Sequence, residues 1–68
     1  MELLNNAKLI TTYTQDIHNE GKVETSFYQL SGSIIRVVYR RASTKTTIEF
    51  IPVDSWEFRE LERMADAA

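Results

Sequence analysis

Three side chains that could bind a divalent metal alternate along the chain at Asp16, His18 and Glu20. On an extended strand, residues two apart project from the same face, so these three could share one metal ion. They lead into a turn that contains Asn19 and Gly21, however, and a solvent-exposed strand end has the same composition. We therefore expect neither a metal site nor a cofactor, and we interpret these side chains as solvated.

The rest of the chain lacks the residues of an active site. The absence of cysteine excludes disulfides, cysteine-based zinc sites and thiol catalysis. His18 is the only histidine, and no spacing supports Ser–His catalysis with it. Two glycines are too few for a glycine-rich phosphate-binding loop. The sequence therefore predicts a protein that is not an enzyme.

Positive charge is concentrated in one part of the chain. Residues 33–48 contain four basic residues and no acidic one, whereas residues 49–68 contain two basic and six acidic residues. A basic hairpin is therefore expected beside an acidic helix. One interpretation is a strip that binds single-stranded nucleic acid, with an aromatic ring for base stacking and cations for phosphates: Tyr28, Arg36, Arg40, Arg41 and Lys45.

The other interpretation of the basic residues is structural. Arg36 or Arg40 can pair with Glu24 or Glu49 across the predicted sheet, or with acids of the helix in a dimer. A sequence pI of about 5.2 argues against nonspecific duplex binding, which needs many phosphate contacts. The sequence therefore favours ion pairing over nucleic-acid binding.

Length and composition limit the protein to one domain over residues 1–68. Of its 68 residues, 43% are hydrophobic and 26% are charged, as in ordinary globular domains. It has no signal-peptide pattern and no apolar run that could span a membrane, so we expect a cytoplasmic protein without membrane contact. A domain this small buries only about 60% of its unfolded surface, which favours a partner or self-association.

Strands are predicted over about residues 8–53, which are rich in Thr, Val, Ile, Tyr and Phe. Turn-forming residues divide the region into four strands: Lys8–His18, Val23–Leu30, Ile34–Arg41 and Thr46–Ile51. The break between the second and third strands comprises the three residues 31–33. Because the connections are short, consecutive strands are antiparallel neighbours. Residues 1–7 stay unassigned.

A helix is predicted at about residues 55–67. Asp54 and Glu57 have the spacing of a capping box, in which Asp54 accepts a hydrogen bond from the backbone N–H of Glu57. Val53 and Phe58 occupy the positions of a hydrophobic staple around that cap. Strong helix formers follow to the end of the chain.

One side of this helix is apolar, because Phe58, Leu61 and Ala65 recur at three- and four-residue steps. We expect these residues to pack against the sheet. Trp56 is expected to close the end of the core, with an exposed binding anchor as the alternative.

The predicted fold class is α+β: a four-stranded antiparallel β-meander followed by one C-terminal α-helix packed on one sheet face. Alternation along the strands assigns each side chain to a face. The face expected beneath the helix contains Val23, Thr25, Phe27, Ile35, Val37, Tyr39, Ile48 and Phe50. The opposite face contains Ile10, Tyr28, Leu30, Ile34, Val38 and Ile51 alongside Arg36, Arg40 and Glu49.

That opposite face would be exposed in a monomer, because one helix covers one side of the sheet. Each large apolar side chain left in water forgoes roughly 1.5–3 kcal/mol of burial. We therefore expect this face to contact a second copy or another protein through Ile34, Val38, Tyr28, Leu30 and Ile51. The alternative is that apolar residues at sheet margins are simply exposed.

The order of four strands and one helix, with residues 50–56 (Phe-Ile-Pro-Val-Asp-Ser-Trp) at the junction, resembles the family of transcriptional coactivators that bind single-stranded DNA. In that family two copies pair through their helices, and curved sheets bind the single strand. The likeness covers the layout of residues 8–68 and no diagnostic motif, and the basic N-terminal strand of such binders is missing here. It is an analogy of fold.

The sequence thus predicts a small non-enzymatic protein-interaction module, expected to be a homodimer. It would bind another protein through the mixed sheet face or the acidic helix, as accessory and inhibitor proteins of phages and mobile elements do by occlusion. The alternative is a weak single-stranded nucleic-acid-binding protein that uses the hairpin of residues 36–45.

Overall fold

The computed structural model describes residues 6–67. It contains four strands and one helix: β1 (Lys8–Ile17), β2 (Gly21–Leu30), β3 (Ser33–Arg40), β4 (Lys45–Phe50) and α1 (Trp56–Ala67). The strands form one antiparallel sheet in the order β1-β2-β3-β4. The predicted α+β class, a four-stranded meander followed by one helix, is confirmed. Of the unassigned N-terminal residues, 1–5 lie outside the described part of the chain.

The turns between strands depend on residues with a positive φ angle. Asn19 and Gly21 adopt φ values of 76° and 74° in the first turn, and Gly32 adopts 75° in the second. Glycine and asparagine enter this left-handed region at little cost. In the third turn Thr44 has a φ of 55°, where a β-branched residue is strained.

The turn between β2 and β3 sets which side chains share a face. Leu30 pairs directly with Ser33, so the turn has two residues, whereas the sequence predicted three. The difference of one residue brings Phe27 opposite Arg36 and Thr25 opposite Val38. Odd-numbered residues of β2 therefore share a face with even-numbered residues of β3.

The predicted composition of the two sheet faces is consequently wrong. The helix-covered face carries the odd-numbered residues of β2 together with Ile34, Arg36 and Val38 of β3. The opposite face carries residues that were expected beneath the helix, among them Ile35, Val37, Tyr39, Ile48 and Phe50. A one-residue change in register moves every side chain of a strand to the other face.

The core lies between α1 and one end of the sheet. It contains Phe27, Ile34, Ile51, Phe58 and Leu61, all buried, with Ile10 packed against them. The predicted contact residues of the helix, Phe58, Leu61 and Ala65, are buried as expected. The pairing of β1 with β2 shifts between Leu9 and Thr11, a bulge at the position of Ile10.

The N-cap residue of the helix lies one position later than predicted. The Ser55 hydroxyl accepts a hydrogen bond from the backbone N–H of Phe58 at 3.2 Å and donates to the carbonyl of Pro52 at 2.7 Å. Ser55 is therefore the N-cap residue in place of Asp54. Val53 is not part of a staple, since its side chain is exposed.

The far end of the helix is held by the first strand. α1 has no basic residue in its last turn. The ammonium group of Lys8 in β1 donates instead to the carbonyl oxygen of Ala65 at 2.9 Å. It supplies a cation where the helix dipole is negative and satisfies one of the carbonyls that lack a partner within the helix.

Candidate interaction site

Large apolar side chains are exposed at the connection between β4 and α1. We call residues 50–56 the junction segment. Within it Phe50 is 64% exposed, Val53 is 66% exposed and Trp56 is 75% exposed. These are the three most exposed of the six large hydrophobic residues that stand in water in the described part of the chain.

The main chain of the junction segment is fixed at both ends. Ile51 is buried in the core, and its N–H donates to the carbonyl of Ile34 at 2.9 Å. At the other end the Ser55 hydroxyl bonds the Pro52 carbonyl and caps the helix. Proline at position 52 fixes its own φ angle as well. The exposed side chains are therefore carried by a rigid segment.

An ion-pair network anchors the helix beside this segment. The Arg36 guanidinium donates to the carboxylate of Glu57 in α1 at 2.6 Å and also to that of Glu49 in β4. It lies over the ring of Phe27, with 5.4 Å between Cζ and the ring centroid. The hydrogen bond that Arg36 donates to Glu57 raises the pKa of Arg36, partial burial lowers it and Glu49 raises it further, so that the net shift is upward. Arg36 is thus a charged clamp between β3, β4 and α1.

The residues predicted to bind nucleic acid do not form one surface. Tyr28 lies on the sheet face opposite Arg36, with Ile35 as its register partner in β3. Arg36 is occupied by its two carboxylates, as the structural interpretation predicted for Glu49. The side chain of Arg40 pairs with Glu20 at 3.3 Å.

Two cations of the basic hairpin stay available. Arg41 and Lys45 are exposed and make no ion pair within residues 6–67. Both lie at the β3–β4 turn. Two exposed cations are a small fraction of the contacts that a nucleic-acid strand makes with its binding groove.

The predicted interaction face is also divided by the observed register. Ile34 and Ile51 are only 1% and 3% exposed because they lie in the core beneath the helix. Val38 shares their face and is half-buried. Tyr28 and Leu30 belong to the other face. The prediction that these five residues share one exposed face is therefore wrong.

The described residues contain no site with the geometry of a metal centre or a substrate pocket. Between residues 6 and 67 there is no pocket and no group of three or more His, Asp or Glu side chains that could hold a metal. The carboxylate of Asp16 lies 3.6 Å from the ammonium of Lys22, and Glu20 pairs with Arg40. Two of the three side chains considered as metal ligands thus have basic partners in the sheet.

The composition of the junction segment indicated exposed apolar side chains there, but the predicted sheet faces assigned Phe50 to the core. Phe, Ile, Val and Trp surround a single proline over seven residues, a high density of large apolar side chains for a connection. Phe50 was expected beneath the helix, but the register turns it to the other face. Trp56 takes the exposed alternative, because position 56 is the first residue of α1 and its side chain points away from the core.

Comparison with known proteins identifies no relative. The chain matches no family model, no curated protein and no solved structure with which it was compared. Among residues 6–67, no helix is long and apolar enough to cross a membrane.

Proposed function

We propose that this protein is a non-enzymatic protein-binding module that contacts its partner through the junction segment. The exposure of Phe50, Val53 and Trp56 within seven residues carries the proposal. A few large side chains, tryptophan prominent among them, supply most of the binding free energy at protein interfaces. A partner that covers exposed apolar side chains of this segment removes apolar surface from water and gains that free energy.

The rigidity of the segment supports this function. Association costs free energy when loops must be ordered at the interface. Here the hydrogen bond of Ile51 to Ile34, the Ser55 cap and the clamp of Arg36 on Glu57 order the main chain before any partner arrives. Less free energy is therefore lost in ordering the segment when a partner binds.

Charge around the segment indicates the chemistry of the partner. Residues 49–67 contain six acidic and two basic residues. Three of the acids are exposed and make no ion pair in the described part of the chain: Asp54 within the segment, and Glu62 and Asp66 further along α1. The complementary partner is a protein segment with apolar side chains flanked by Lys or Arg. The protein would act by occupying that surface; a cytoplasmic location stays a prediction from the sequence.

The proposal is tested by selecting a library of random displayed peptides against the immobilised full chain. We expect enriched peptides to combine large apolar residues with Lys or Arg. Trp56→Ser should weaken their binding by about tenfold or more, as the loss of a dominant interface residue does. The matched control is Leu9→Ser, which removes an exposed apolar side chain from β1 at the far edge of the sheet.

Fluorescence polarisation with labelled peptides measures the affinities, and circular dichroism checks that both variants are folded. If no peptide is enriched, or if Trp56→Ser and Leu9→Ser weaken binding equally, the junction segment is not a binding site. Enrichment of acidic peptides would overturn the proposed partner chemistry.

A further inference from the structure

We propose that two copies of this chain form a symmetric dimer by pairing their β4 strands antiparallel, which joins two sheets into one. This inference goes beyond the proposed function, because it uses the free edge of the sheet and not the exposed side chains of the junction segment. The occupant of the edge is a second copy, and the register of the pairing follows from the charges on β4.

The edge formed by β4 is open and regular. β4 is the last strand of the sheet, and five of its six residues are exposed. Its pairing with β3 shows no register shift. The other edge, β1, carries the bulge at Ile10, a feature that discourages pairing with another strand. The unprotected edge is therefore β4.

The hydrogen-bonding groups of β4 point outward at defined residues. The N–H of Ile51 donates to the carbonyl of Ile34 across the β3–β4 pair. Main-chain groups of successive residues point alternately toward and away from a neighbouring strand. Those of Thr46, Ile48 and Phe50 consequently point away from β3. An added strand must place its own outward-pointing residues opposite these three.

Charge selects one register among those that satisfy this condition. The helix-covered face carries three residues of β4, because their register partners in β3 belong to that face: Lys45, Thr47 and Glu49. If the two-fold axis passes beside Thr47, Lys45 of each copy stands directly opposite Glu49 of the second copy. Lys45 has no ion pair within residues 6–67, and Glu49 is 53% exposed beside Arg36, so its carboxylate can accept a second cation and both copies gain an ion pair there. Opposite charges on facing residues stabilise a strand pair.

The neighbouring registers lack this complementarity. Centring the pair on residue 45 or 49 brings two lysines or two glutamates together, which is unfavourable. Centring it on residue 46 or 48 leaves both charged residues opposite uncharged ones. In the favoured register Thr46 faces Ile48 of the second copy on both sides of the axis, and these pairs exchange the outward N–H···O hydrogen bonds.

The dimer is tested by sedimentation velocity over a concentration series, with two charge-reversed variants. We expect the natural chain to dimerise with increasing concentration. Lys45→Glu and Glu49→Lys should each weaken self-association by about tenfold or more, because each places like charges at two symmetric positions. Since Glu49→Lys also removes the ion pair with Arg36, circular dichroism checks that this variant is folded. Mixing the two variants should restore a dimer, since every facing pair is then opposite in charge. Arg59→Glu, a charge reversal on the exposed helix surface, is the control and should leave the dimer unchanged.

A further variant tests the strand pairing without changing a charge or a hydrogen bond of the folded monomer. Thr46→Pro removes an outward N–H that the sheet itself does not use, and proline is tolerated at such edge positions. It should fold and stay monomeric. Hydrogen exchange provides the register: the amides of Thr46 and Ile48 should become protected as the natural chain is concentrated.

Three results would overturn the proposal: a monomer at all concentrations, a dimer that Lys45→Glu and Thr46→Pro leave intact, or two charge variants that do not associate when mixed. Trp56→Ser should dimerise like the natural chain. Failure of the dimer and failure of peptide binding are therefore separate outcomes.

Discussion

Replacing Arg36 with methionine tests whether the ion-pair clamp holds the helix on the sheet. Methionine keeps an unbranched apolar stem beside Phe27 but removes the guanidinium that bonds Glu49 and Glu57. It also removes the cation above the Phe27 ring. Both carboxylates can then be hydrated, since their side chains are 53% and 37% exposed. The variant therefore measures the net value of the clamp and leaves no charge buried.

The expected loss follows from the geometry of the contacts. Exposed ion pairs are worth about 0.2–1 kcal/mol each, and the exposure of both glutamates keeps these two within that range. A cation above an aromatic ring adds about 0.5–1 kcal/mol. We therefore expect Arg36→Met to lower the free energy of unfolding by about 1–3 kcal/mol. For a chain of this length that corresponds to a fall in Tm of roughly 4–24 °C.

Urea unfolding followed by far-ultraviolet circular dichroism gives the free energy directly. Arg59→Met is the matched control, because Arg59 is exposed on α1 and has no ion pair in residues 6–67. It should change stability by less than about 0.5 kcal/mol. High salt should reduce the difference between the natural chain and Arg36→Met, since exposed ion pairs are screened.

The pH dependence provides an independent check on the clamp. The pKa of Arg36 is raised in the folded state. The contribution of the charged Arg36 to the free energy of unfolding is therefore fully present below the pKa of the unfolded state, and it is lost only as pH rises through the pKa of the folded state. Both values lie far above neutrality, so the difference between natural chain and variant should be constant around neutral pH. A loss no larger than that of Arg59→Met would refute the clamp.

Three further predictions concern the turns, the helix start and the basic hairpin. Thr44→Gly should raise the free energy of unfolding by about 0.5–1 kcal/mol, because glycine relieves the positive φ angle; an unchanged urea midpoint would contradict this. Ser55→Ala should cost about 1 kcal/mol by removing the helix cap, whereas Asp54→Ala should cost less than half as much in the same assay. A fluorescent single-stranded oligonucleotide should not bind the protein at low salt, and clear binding would restore the nucleic-acid interpretation.

The positions of the strands and the helix could be predicted from the sequence, because each element contains a long run of residues that favour the same secondary structure. The assignment of side chains to the two sheet faces depended on the number of residues in the turn between β2 and β3. With three residues between Leu30 and Ile34 the odd-numbered positions of β2 and β3 would face the same side, but Ser33 pairs with Leu30 and the turn has two. Ser-Gly-Ser is compatible with either length, so local preferences did not decide the register.

The sequence did not lead to the proposed interaction site, because the predicted faces placed Phe50 beneath the helix and drew attention to the opposite face. The sequence predicts a partner from a whole exposed apolar face, and two residues of that face, Ile34 and Ile51, are buried. The helix cap was misplaced for a related reason: Asp54 and Ser55 are adjacent and equally good caps, so spacing alone does not choose between them. The helix start in turn determined whether Trp56 closed the core or stood in water.

The contact between Lys8 and Ala65 brings the two ends of the described chain together. A short linker could therefore join them, and the chain could be opened elsewhere as a circular permutant. The exposed β3–β4 turn, between Ala42 and Ser43, is the natural place to open it. In that permutant the helix and the first strand become neighbours in sequence, so their docking no longer has to close a loop of almost the whole chain. Since folding slows as contacting residues lie further apart in sequence, the rearranged chain should dock its helix early, while the β3–β4 hairpin becomes its most distant pairing.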